Sequence, residues 1–122
     1  MIFNPIVPKM GSQVSKKWVW NEVPDFSVLG LTTSGQSVRF EQSFTNNASA
    51  RTQWYGINIV YLNSKYTMYY FSTETHDSVT AAYRDNAWDV SRVGDDRIMI
   101  FDEAPSGDLL TFLQANATPI VE

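Results

Sequence analysis

Hydrophobic and polar positions along the chain repeat every two residues far more often than every three or four. Val38, Phe40, Gln42 and Phe44 alternate with Arg39, Glu41 and Ser43, the period of a strand with one face buried and the other wet. Trp18 to Val23 reads as an earlier strand, stopped by Pro24-Asp25 because proline cannot donate to a ladder. Trp54 to Leu62 and Tyr66 to Thr73 are rich in aromatic and β-branched residues, and Asn63-Ser64-Lys65 between them suits a hairpin. The first arm of that hairpin is apolar on both sides, with Tyr55, Ile57, Ile59 and Tyr61 on one and Trp54, Val60 and Leu62 on the other, so it should sit centrally or face a second layer. Ser78 to Tyr83 and Arg97 to Phe101 complete about six strands, with Asp89 to Asp96 left as a turn region around Gly94.

A helical period occurs in one place. Leu109, Phe112 and Leu113 fall at i, i+3 and i+4 within residues 106–117, giving a stripe wide enough to bury. Pro105 and Ser106 supply start signals, Asp108 puts a carboxylate in the first turn where the helix dipole favours it, and Pro119 marks the stop. The expectation is a mainly β (α+β) chain: an antiparallel β-sandwich or sheet of about six strands with one short C-terminal amphipathic helix. A single β-rich domain would span residues 17–122. Residues 1–16, with Pro5, Pro8 and the apolar Ile2, Phe3, Ile6 and Val7, read as an extended arm that needs a surface to lie on, its own domain or a neighbouring subunit.

Length and composition narrow the chemistry. At 122 residues one core is expected, and 14% aromatic residues argue against disorder. There is no Cys, which excludes thiol nucleophiles, disulfides and Cys-ligated zinc, and the single His76 excludes multi-His metal centres. A net charge of −4 disfavours wholesale binding to a phosphate backbone, so no nucleic-acid partner is expected. The charge is split: residues 1–65 hold six Lys/Arg against three Asp/Glu, and residues 66–122 hold three against ten. A fold that separates these halves would favour contact between copies, whereas antiparallel strands that interleave them would cancel the asymmetry. Apolar runs are too short for a membrane helix, and the N-terminus lacks the order of a secretory signal, so the chain is expected to be made and kept on the cytoplasmic side.

Candidate catalytic groups are weak. Asp95-Asp96 and Asp102-Glu103 are adjacent pairs that a strand would point to opposite faces, and the spacing of a calcium loop is missing. Ser72, His76 and Asp77 can be combined into a triad on paper, but no nucleophile-elbow glycines surround a serine. Neither phosphate-loop nor dinucleotide glycine motifs occur, and no cofactor is expected. The aromatic residues could form a ligand platform; Trp18 and Trp54 are expected in the core, while Trp88 lies in a polar segment and is the aromatic residue best placed for a contact.

Ala82-Tyr83-Arg84, and above all the run from Asp96 through Ile98-Met99-Ile100-Phe101, Pro105-Ser106-Gly107-Asp108-Leu109-Leu110 and Leu113-Gln114-Ala115-Asn116-Ala117, resemble the ending of small modules from bacteriophages and prophages of Gram-positive gut bacteria. Trp18-Val19-Trp20-Asn21-Glu22 and Ser34-Gly35-Gln36-Ser37-Val38-Arg39-Phe40 are similar to earlier parts of the same modules. The resemblance implies phage context, in which such modules look like appendages of tail or virion components. The expected function is therefore a non-enzymatic structural or accessory protein, a component of tail or head that acts through protein–protein assembly, either with further copies of itself as a homo-oligomer or by docking on another virion protein. Phe3, Ile6, Val7 and Trp88 are the candidate interface residues. A small inhibitor of a host or defence protein is the alternative, and a carbohydrate-binding module a third reading.

Overall fold

The computed structural model describes residues 14–46, 48, 50–71 and 80–121. Its strands form two antiparallel sheets, and one short helix near the C-terminus packs between them. In chain order the elements are β1 (Lys17–Trp20), β2 (Ser37–Asn46), β3 (Arg51–Leu62), β4 (Lys65–Phe71), β5 (Thr80–Arg84), β6 (Ala87–Trp88), α1 (Val90–Val93), β7 (Ile98–Ile100), α2 (Gly107–Asn116) and β8 (Ala117–Pro119), with a 3-10 turn at Phe26–Leu29. The larger sheet has the order β2-β3-β4-β5-β6 and the smaller β7-β1-β8. The protein is thus mainly β, as the two-residue periodicity requires.

Turn chemistry sets the larger sheet. Leu62 pairs with Lys65, leaving Asn63 and Ser64 as a two-residue loop with positive φ at both positions, and Arg84 pairs with Ala87 around Asp85 and Asn86 in the same way. Positive φ at both central residues matches the right-handed twist of the flanking strands, and Asn and Asp tolerate it better than most residues.

A single apolar cluster joins both sheets. Trp18, Trp20 and Met99 come from the smaller sheet, Tyr55, Ile57, Ile59, Met68 and Tyr83 from the larger, and Leu109, Phe112 and Leu113 from α2. Phe112 is the hub of its aromatic part, with Trp20, Phe26 and Phe40 at centroid separations of 6.1, 6.0 and 5.2 Å. The helical stripe is therefore buried as its spacing predicts, since a ten-residue helix depends on tertiary packing for its stability.

Several boundaries differ from the sequence expectation. β1 ends at Trp20, not Val23, because its neighbours β7 and β8 are only three residues long; Asn21 N–H then donates to the Asn116 carbonyl and Val23 is exposed. The segment after Trp88 folds into α1, capped by the Asp89 carboxylate accepting from Ser91 N–H. Helix α2 ends at Asn116, where Ala117 turns extended and enters β8 opposite Trp20; Pro119 lies in that strand instead of simply stopping the helix. Trp54 is 50% exposed, so its expected place in the core is taken by its neighbour Tyr55. β3 is apolar on both sides, and periodicity alone does not decide which side faces inward.

Candidate interaction surface

Among the described residues the two sheets present four edges, and three are blunted. β6 has two residues, β7 three, and β8 three including Pro119. Short edges and proline deny an incoming strand a template. β2 is different. It runs for ten residues, pairs with β3 in unbroken register from Ser37↔Val60 to Asn46↔Arg51, and contains no proline and no bulge. At about 3.3 Å per residue this edge is roughly 33 Å long.

The direction of its backbone groups follows from the register. Tyr61 N–H donates to the Gln36 carbonyl at 2.9 Å and the Tyr61 carbonyl accepts Gly35 N–H at 2.7 Å, so the bonds between these strands fall at Gln36 and recur at every second residue after it. Stepping by two, Val38, Phe40, Gln42 and Phe44 turn their backbone groups to β3, and Ser37, Arg39, Glu41, Ser43 and Thr45 turn theirs to the open edge. The side chains of the first set face the core layer yet stay only half-buried, because no strand among the described residues covers their outer flank.

Beside the edge lies a cleft of about 180 Å³ between the middle of β2, residues 39–42, and the start of α2 at Ser106 and Asp108. Gln42 holds its two walls together: its Nε2 donates to Ser106 Oγ at 2.6 Å and its Oε1 accepts Ser106 N–H at 3.0 Å. Ser106 thereby spends its hydroxyl on Gln42 and makes no side-chain cap for α2.

On the opposite side of the sheet Arg39 and Glu41 form an ion pair, with Arg39 Nη2 at 2.7 Å and Nε at 3.1 Å from Glu41 Oε2. The Arg39 guanidinium also lies 4.3 Å from the centre of the Phe71 ring, across Gly56 of β3. Trp54 and Leu62 add exposed apolar area to that face of β3.

Of the residues singled out from the sequence, Trp88 and the acidic pairs are among the described ones. Phe3, Ile6 and Val7 lie outside the described residues, as do Ser72, His76 and Asp77. Trp88 is half-buried: its Nε1 donates to the Glu22 carbonyl at 2.9 Å, and its ring lies 5.9 Å from Trp20 and 4.8 Å from Tyr83. Asp95 and Asp96 sit exposed in the turn before β7. Asp102 and Glu103 act on Tyr55, whose hydroxyl is pushed up to about 12 by burial first and by these two carboxylates second. Among the described residues no three His, Asp or Glu side chains gather as a metal site would require, and no helix is long and apolar enough to cross a membrane. The open β2 edge was not singled out from the sequence; its one signal was the unbroken alternation from Val38 to Phe44.

Compared with protein-family models, curated proteins and solved structures, the chain has no match.

Proposed function

We propose that this chain is a non-enzymatic structural or accessory protein of a bacteriophage particle and acts through protein–protein assembly. The observation that carries this reading is the ten-residue β2 edge, unpaired among the described residues, in a fold whose other described edges are all short. A long flat edge is a ready template for strand addition, and in an isolated chain it is a liability. A protein that assembles turns it to use. The outer face of the same sheet, with Trp54, Leu62 and the Arg39–Glu41 pair, offers further area for a neighbour. The phage context comes from the resemblance of the C-terminal run to phage and prophage modules.

Mass spectrometry of purified particles of the phage that encodes the chain tests this function. Peptides of the chain at a fixed molar ratio to tail or head proteins are expected. Abundance in the infected-cell lysate together with absence from particles would overturn it, and capture with one host protein there would move the chain to the inhibitor class.

A further inference from the structure

We propose that the β2 edge pairs with β2 of a second copy of this chain, antiparallel about a two-fold axis at Phe40, to make one continuous sheet. This rests on the assembly reading and names its partner. The backbone pattern restricts the choice. Only the odd-numbered residues of β2 offer groups to the edge, so the hydrogen-bonded pairs of two such strands must join odd residues to odd residues.

Charge then selects among the registers left. If Glu41 faced the partner's Glu41, or Arg39 the partner's Arg39, like charges would stand directly opposite, which is destabilising. One register, a shift of two residues from each of these, sets Arg39 opposite the partner's Glu41 and Glu41 opposite the partner's Arg39. Both side chains are on the same sheet face and exposed, at 54% and 34%. Each carboxylate would then lie between two guanidinium groups. The same register sets Phe40 opposite the partner's Phe40 on the core side, at the close non-hydrogen-bonded spacing where aromatic pairs interact best. Val38 falls opposite the partner's Gln42, and Ser37 opposite the partner's Ser43. The strand is complementary to itself in charge, in apolar contact and in backbone polarity at once. A second copy is the occupant that satisfies all three, and a two-fold interface closes on itself without propagating into a fibre.

Light scattering and analytical ultracentrifugation of the full chain, run as a concentration series, test the proposal. The mass should rise from 13.9 kDa toward twice that value. R39E gives a chain with two acids on this face and E41R a chain with two bases, so each alone should weaken the dimer on the order of tenfold or more. Mixed one to one, the two variants should form a heterodimer, and the double variant R39E/E41R should dimerise again. Ser43→Pro checks the backbone part: its N–H points away from β3, so proline there leaves the sheet intact while blocking strand addition. Circular dichroism confirms that each variant folds.

A wild-type chain that stays at 13.9 kDa at millimolar concentration overturns the register and the partner. A dimer indifferent to all three single changes also overturns it, and loss of that dimer on deleting residues 1–13 would assign the contact to the arm. Either result leaves the particle assay free to succeed, so failure here is distinguishable from failure of the assembly reading.

Discussion

A Cβ atom built on Gly56 would lie 1.9 Å from the carbonyl oxygen of Phe40. The backbones of β2 and β3 approach so closely there that only hydrogen fits, and Gly56 also adopts a φ of +154°. The space it leaves on the outer face is covered by Phe71, which is 6% exposed and carries the Arg39 guanidinium.

Gly56→Ala is therefore expected to push β2 away from β3 and to destabilise the fold by at least ~2 kcal/mol, since backbone strain of this kind costs about 1–3 kcal/mol before the clash is added. Urea denaturation followed by tryptophan fluorescence reads the loss. A midpoint equal to that of the wild type would mean that the two strands are free to separate.

Asn116 ties the end of α2 to the segment that follows β1. Buried to 1% exposure, its Oδ1 accepts Asp25 N–H at 2.7 Å, and its carbonyl accepts Asn21 N–H at 2.8 Å. Asn116→Ala leaves the Asp25 amide without its acceptor and should cost about 1–3 kcal/mol. Amide exchange should quicken at Asp25 and along the 3-10 turn that follows it. Unchanged exchange there would show that water replaces the side chain without loss.

For Trp88 the two parts of its contact separate. Trp88→Phe keeps a ring against Trp20 and Tyr83 and removes the bond to the Glu22 carbonyl, a loss of about 0.5–1.5 kcal/mol. Trp88→Ala removes both and should cost about 2–4 kcal/mol. Thermal unfolding that ranks the two variants equally would contradict the ring contacts.

Tyr55 gives an alkaline signature. Its hydroxyl donates to Gln42 Oε1 at 3.1 Å, and burial together with Glu103 and Asp102 raises it from 10.0 to about 12. A raised folded value means the unfolded chain loses this proton first, so the stabilisation is whole below about pH 10 and falls away as pH rises toward 12. Tyr83 is raised too, by burial, and adds to the same slope. Tyr55→Phe should flatten the decline of stability with pH above 10; an identical slope would place the alkaline sensitivity elsewhere.

Much of this architecture was readable from the sequence because β2, β3 and β4 carry strong local patterns and α2 a distinct one. The short pieces were not. Ala117–Pro119 is a strand only because β1 lies beside it, and α1 is four residues held by Asp89 and the Gly94 turn. Trp54 and Tyr55 show a different limit: a strand apolar on both faces does not reveal which parity faces inward, since a one-residue slip exchanges them. Strand order is likewise invisible to periodicity. Val38 to Phe44 reads as a strand in any position, and its place at the edge emerges only from the pairing, which gives it β3 on one side and no other strand of the described residues.

If the odd-numbered amides of β2 take up the strand of a second copy, residue-resolved hydrogen exchange by NMR at low and high chain concentration shows it amide by amide. Protection at Val38, Phe40, Gln42 and Phe44 should be the same at both concentrations, while Arg39, Glu41 and Ser43 should exchange freely in dilute solution and become protected in concentrated solution. Rapid exchange at Arg39, Glu41 and Ser43 at every concentration, in a sample whose mass has nevertheless doubled, would mean that the copies join through another surface and that β2 stays open.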